Sequence, residues 1–270
     1  MQFELSKSTP SRSQKECKKR AAELHEIELF KQPPPNEECP ICMIILPSRA
    51  GGKKYQTCCG KTLCCGCMVA SLKSSGGEPN CPFCRTPPYE TMEENNARLM
   101  KRVNVNDANA LYNLGCQYDT GGQGFPVDHA KAHELWHRAG KLGRSDAYYS
   151  IGIDYMHGSG GVVRDMKKAR YYWELAAIKG NCSARHNLGM YEHELGNTCK
   201  AMKHYSIAAS TGSTNSLIAI QNLYRYGKAT KDDYMKAMNA YQAFKNEIKS
   251  EEREEAAAVS NDYRYFDENI

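Results

Sequence analysis

The stretch Cys39-Pro40-Ile41-Cys42, Cys58-Cys59-Gly60-Lys61-Thr62-Leu63-Cys64-Cys65-Gly66-Cys67 and Cys81-Pro82-Phe83-Cys84-Arg85 decides how the first part of this chain must fold. Nine of the 13 cysteines lie in it, and none of the eight histidines does. Three pairs have C-x-x-C spacing: Cys39/Cys42, Cys64/Cys67 and Cys81/Cys84. Two thiolates so spaced on a tight turn reach one ion, and Zn²⁺ takes four such ligands in a tetrahedron. The three pairs and the Cys58/Cys59 doublet supply eight sulfurs, enough for two Zn²⁺ ions. A disulfide framework is the competing reading. It does not need this spacing, no signal peptide is expected ahead of the cluster, and thiols inside the cell stay reduced.

The segment resembles a RING finger in its all-cysteine form, the module that couples ubiquitin-conjugating enzymes to substrates. The RING pattern interleaves its ligands. The resemblance therefore implies that Cys39, Cys42, Cys64 and Cys67 hold one zinc, and Cys58, Cys59, Cys81 and Cys84 the other. Many RINGs read C-G-H-x-x-C where this chain reads Cys59-Gly60-Lys61-Thr62-Leu63-Cys64. A protonated lysine is no zinc ligand, so Cys58 stands in for the missing histidine, and Cys65 is left as a free thiol. RING ligases present an apolar residue between the first two cysteines, a proline after the seventh and a basic residue after the eighth. Ile41, Pro82 and Arg85 occupy those places. By resemblance, Ile41 and Pro82, with Phe83 and Leu72, receive the conjugating enzyme. Arg85 is the linchpin that bonds both enzyme and ubiquitin through its fork of donors. Ser71 sits where ligases often carry a bulky apolar contact, with Leu72 beside it. Such a module supplies no nucleophile, and its catalysis is positional.

Outward from the cysteines, the chain of 270 residues has room for two domains. Its 25% charged and 41% hydrophobic residues fit a soluble globular protein. No apolar run is long enough for a transmembrane helix. From residue 39 to 88 there are six Lys or Arg against Glu78 alone, which accounts for the net charge of +5. No aromatic-basic alternation accompanies that charge, so no nucleic-acid partner is expected. Residues 1–38 begin polar and serine-rich, then turn helical from about Ser13 to Phe30, with Ala21, Leu24 and Ile27 on one face. Pro33-Pro34-Pro35 stops that helix. It reads as a solvated extension ahead of the module, with packing on the module or a partner as the other reading.

Beyond an acidic linker, residues 89–103, the pattern Asp/Asn-x-x-Lys-Ala recurs at Asp128, Asp165, Asn197 and Asp233. Trp136, Trp173, Tyr205 and Tyr241 keep step with it, as do Ala139, Ala176 and Ala208, and Gly143, Gly180 and Gly212. A period of this size means stacked helix pairs. The Asp or Asn is an N-cap worth about 1 kcal/mol, and the aromatic and alanines share one buried face. The three glycines suit helix C-termini that need positive φ. The fourth unit, with Gln221 in place of a glycine, reads as a degenerate cap.

The pattern L-G-x-x-Y, G-x-G and D-x-x-K-A-x-x-x-W resembles the Sel-one-like repeat, a relative of the tetratricopeptide repeat, over residues 104–249. That resemblance implies a helical solenoid whose concave surface binds proteins. His129, His133 and His137 fall on one helix and read as a solvated face, with a metal site as the alternative. In the tail, residues 250–270, Glu251 to Ala258 can extend the last helix, and Tyr263 to Phe266 can dock back on the array. The expected fold is a small zinc-bound RING cross-brace (residues 39–88) followed by an all-α solenoid of TPR-like helical hairpins. The expected function is that of an intracellular RING-type E3 ubiquitin ligase, cytoplasmic or nuclear, whose repeats hold a protein substrate. The alternative is a non-catalytic, zinc-dependent scaffold.

Overall fold

Pro33 to Pro35 separate the first helix, α1 (Arg12–Leu29), from the cysteine module. The computed structural model describes residues 12–48 and 50–266, so the polar start of the N-terminal segment falls outside it. The module is a short antiparallel hairpin, β1 (Lys53–Gln56) and β2 (Lys61–Cys64), followed by one helix, α2 (Cys65–Ser74). Its small interior is mostly sulfur, with Leu46 and Leu63 the aliphatic residues buried among the cysteines.

Thr91 caps α3 (Met92–Asn104), which leads into the repeats. Four helix pairs follow: α4 (Ala108–Thr120) with α5 (His129–Lys141), α6 (Ser145–His157) with α7 (Met166–Ile178), α8 (Cys182–Glu194) with α9 (Thr198–Ser210), and α10 (Thr214–Arg225) with α11 (Lys231–Glu247). The recurring residues do recurring work. Asp128 and Asp165 accept from the first backbone N–H groups of α5 and α7. Ala110, Ala147 and Ala184 are fully buried, as are Ala139, Ala176 and Ala208. Trp136, Trp173 and Tyr205 each pack against a glycine of the preceding helix. A methyl group at Gly115, Gly152 or Gly189 would come within 2.6, 2.5 and 2.5 Å of those rings. Small residues thus set the helix spacing, and large aromatics fill it.

Several expectations need correction. Asp233 is not an N-cap. Thr230 caps α11, and Asp233 sits at the third helical position, completing a capping box. Asn197 stands at the cap of α9, but its amide donates to Glu192 instead of capping. The Glu251 segment does not extend α11. Ser250 caps a separate helix, α12 (Glu251–Val259), that turns back onto α2 of the cysteine module. The tail aromatics follow it, and Tyr265 is buried with Phe244 and Ile248 against Ile45 of the module.

The first helix is not a free extension either. Its expected face, Ala21, Leu24 and Ile27, is exposed, but its C-terminal end is docked. Leu29 joins the core of the array, and its carbonyl accepts from the buried Arg185. His25 bonds Glu174 at 3.0 Å, and the Phe30 ring packs tilted against His204 with centroids 4.7 Å apart. Helical spacing identified an apolar stripe, but the residues that dock, His25, Leu29 and Phe30, lie outside it.

The cysteine module and the prolines ahead of it lie along turns that lead into successive helix pairs or out of them. Tyr55 donates to Asp107 at the α3–α4 turn. Pro34 meets Gly180 at the α7–α8 turn, and Ser48 meets Gly212 at the α9–α10 turn. Between them is a cavity of about 260 Å³ lined by Lys53, Glu37, Arg144, Asp146 and Asn181. Burial pushes the Lys53 ammonium down from its ordinary range.

Candidate metal centres and their surroundings

The two C-x-x-C turns at either end of the module are built alike. In the first, Met43 N–H donates to Cys39 O at 2.9 Å, and Cys39 N–H to Ile44 O at 2.9 Å. In the last, Arg85 N–H donates to Cys81 O at 2.8 Å, and Cys81 N–H to Thr86 O at 2.9 Å. Met43 and Arg85 both adopt left-handed backbone, φ 57° and 59°, which turns the chain sharply after the second cysteine. The third C-x-x-C pair spans the start of α2, where Cys64 is the N-cap and its sulfur accepts from Cys67 N–H.

These turns bring eight sulfurs into two groups. Cys39, Cys42, Cys64 and Cys67 form one, and Cys58, Cys59, Cys81 and Cys84 the other, with all four sulfurs of each within 4.8 Å of one another. In the first group Cys39–Cys67 is 3.8 Å and Cys42–Cys64 3.9 Å. In the second Cys59–Cys81 is 3.9 Å and Cys58–Cys84 3.4 Å. A tetrahedral ion with Zn–S bonds of about 2.3 Å needs sulfurs about 3.8 Å apart. The donor sets therefore fit a divalent, thiophilic metal, and either cluster can hold one.

The electrostatics agree. Hydrogen bonds from the Cys64 and Cys67 side chains hold Cys39 far below the thiol range. The same crowding pushes Cys67 far above it. Burial, then the Cys84 and Cys81 neighbours, raises Cys58. Burial also takes Cys59 to about 11. Four crowded sulfurs cannot all ionise without a cation among them. Cys65 stands outside both groups. It donates to Gly51 O at 3.2 Å, and burial pushes its thiol up to about 11.

Ile41, Leu72, Phe83 and Arg85 are exposed on the module, and Pro82 is half-buried. A cleft of about 140 Å³ between α2 and the Pro79–Pro82 loop is lined by Met68, Val69, Leu72 and Pro82, with Tyr263 of the tail contributing to its wall. Lys61, in the place where a histidine was expected, lies 5.7 Å from the Phe83 ring, a cation–π contact that steadies an exposed aromatic.

Two arginines from outside the module reach the clusters. Arg102 of α3 donates to Cys58 O at 2.6 Å. Arg253 of α12, almost fully buried, donates to Ile45 O and Ile248 O at 2.8 and 2.7 Å, to Ile44 O at 3.2 Å, and approaches Cys42 Sγ at 3.9 Å. Sequence reading missed both. Neither lies in a motif, and Arg253 is 211 residues from Cys42.

The histidines of α5 are not a solvated face. His129 bonds Asp119 at 3.0 Å, and His133 bonds Asp154 at 2.8 Å with little exposure on either side. His137 packs edge-on to Tyr172. The carboxylates come from α4 and α6, so a scan along α5 could not find them.

A fold of stacked helix pairs beside a two-cluster cysteine module defines a repeat protein with an appendage whose sulfurs can hold metal. The repeats themselves are of the Sel1 type: residues 108–143, 145–181 and 182–213 match the Sel1 repeat family. A Sel1 repeat protein from Oxalobacter formigenes is 26% identical with a TM-score of 0.51, covering 67% of this chain and 71% of that one. The Escherichia coli protective antigen c5321, which displays an SLR fold, is 26% identical with a TM-score of 0.47, over 63% of this chain and 36% of that one. Among curated proteins, the rice (Oryza sativa, indica and japonica) E3 ubiquitin-protein ligase GW2 is 41% identical over 54 residues, 20% of this chain. The chain spans only 12% of the length of these curated relatives. Among the described residues, no helix is long and apolar enough to cross a membrane.

Proposed function

We propose that this chain is a RING-type E3 ubiquitin-protein ligase with two structural Zn²⁺ ions. The observation that carries the reading is the last cysteine turn. It exposes Arg85 directly after the eighth cysteine, with Pro82 and Phe83 on the same turn and Leu72 across the cleft. The likeness to a ligase over 54 residues, 20% of this chain, supports it. In this reading Ile41, Pro82, Phe83 and Leu72 receive the loops of a ubiquitin-conjugating enzyme. Arg85 bonds that enzyme and ubiquitin together and holds the thioester ready for attack. The zinc ions would be held by the two four-cysteine groups and would fix the turns that carry these residues. A protein substrate or adaptor would be held by those parts of the repeat array that the module itself does not cover.

The test is discharge of ubiquitin from a panel of charged conjugating enzymes. Ile41→Ala abolishes binding of the conjugating enzyme. Arg85→Ala leaves binding largely intact but slows discharge tenfold or more, about 1.4 kcal/mol in the barrier. Equal discharge by wild type and Arg85→Ala across the panel favours the zinc-dependent scaffold instead. One observation speaks for that second reading: the central helix carries Ser71, small and polar, where a bulky apolar contact is expected.

A further inference from the structure

Arg253 is a buried cation with no carboxylate in ion-pair contact among the described residues. The residue is 1% exposed, and among the described residues its guanidinium bonds only neutral carbonyls and cysteine sulfur. Its Nε has no partner at all among the described residues. A charge taken out of water and left uncompensated is costly, and native folds rarely keep one. The contrast with the other cluster is informative. Arg102 is only half-buried, and the Asp107 carboxylate lies beside it at Gly60.

The first cysteine group, with a metal bound, would supply the compensating anion. A divalent ion held by four thiolates carries a double negative charge. Cys42 Sγ, one of those four, is the sulfur that Arg253 faces. We propose that Arg253 is the counter-charge of the metal centre at Cys39, Cys42, Cys64 and Cys67, and that docking of α12 on the module is thereby linked to metal loading of that one centre. The inference rests on the metal reading above. By linkage the coupling runs both ways: the metal holds the tail helix, and the tail helix holds the metal. Outer-shell partners of metal ligands act in this way in general, orienting the ligand and offsetting its charge. Here the partner is delivered from the far end of the chain. Gly66 of α2 makes room for it, since a methyl group there would lie 2.8 Å from the Arg253 backbone nitrogen.

The experiment uses the full chain loaded with Zn²⁺ and follows metal release to a chromogenic chelator. Arg253→Met keeps the apolar stem and removes the charge. It is expected to release one equivalent at least about tenfold faster than wild type, with the second equivalent unchanged. Glu255→Ala removes only an exposed ion pair between α12 and Lys73, which contributes little to docking, and is expected to speed release far less than Arg253→Met does. Hydrogen exchange on the unaltered chain is the second measurement. Residues 251–259 are expected to lose protection when zinc is removed while α4 to α9 keep theirs. Wild-type release from Arg253→Met, equal acceleration by Glu255→Ala, or unchanged exchange in α12 on zinc removal each overturns the proposal. A wild-type chain that binds no Zn²⁺ overturns the metal reading itself, which is a separate result.

Discussion

The hydroxyl of Tyr55 donates to Oδ2 of Asp107 at 2.9 Å, while Oδ1 of the same carboxylate accepts from Asn109 and Ala110 N–H at the start of α4. One side chain thus begins the first repeat and fastens the cysteine module to it. Burial, then the bond to Asp107, raises the Tyr55 phenol far above its ordinary range, so it stays a donor at any physiological pH. Tyr55→Phe should cost about 1 kcal/mol. Asp107→Ala removes cap and anchor together and should cost about 2–3 kcal/mol. Chemical denaturation of the two variants measures the difference, and equal losses would mean the cap contributes nothing.

Gly152→Ala tests the aromatic seats of the array. The added methyl would meet the Trp173 indole at 2.5 Å, with both helices pinned by fully buried alanines. Overpacking of that kind should destabilise the chain by about 1–3 kcal/mol. A thermal unfolding midpoint unchanged by the substitution would show that the helix pair can slide to accommodate it.

Two equivalents of Zn²⁺ per chain are expected by elemental analysis of reduced protein. Structural zinc contributes on the order of 10 kcal/mol to small domains of this kind. Chelation should therefore melt the β1–β2 hairpin and α2 while the helical signal of the array persists. A single equivalent would show that the Cys58/Cys59 doublet cannot serve one ion.

His204 sets an acid limit. Burial first, then the nearby Arg185, Arg170 and lysine charges, lower its imidazole from 6.5 to about 3. The unfolded chain therefore binds a proton that the folded chain refuses. The stability tied to this group is complete above 6.5 and is lost as pH falls toward 3. His204→Gln should flatten the acid side of a plot of stability against pH. A profile that keeps its slope would assign the acid sensitivity to other groups.

What the sequence disclosed depended on how far apart the interacting residues are. Trp136, Trp173 and the alanines around them were legible because each repeat restates the same local packing, and the family match follows that period. The cysteine spacing disclosed turns that can share an ion, because each pair closes within four residues. The docking of α1, the His133–Asp154 pair and the tail helix were not legible. Glu174 is 149 residues from His25, and Ile45 is 208 from Arg253, and no local pattern encodes such partners. Asp233 misled for a different reason. The motif kept its register, but Thr230 offered an earlier cap and Asp233 was recruited as its reciprocal partner.

The module and the prolines ahead of it meet the array at the α3–α4, α7–α8 and α9–α10 turns, and the module is gripped again by α12 beyond the last helix pair. A solenoid is ordinarily free to lengthen or shorten by whole units, since each unit needs only its neighbours. Here the number of units works as a gauge. One repeat more would carry α12 past the cysteine module, and one fewer would leave it short, so the copy number of this array is fixed by the gap it has to bridge.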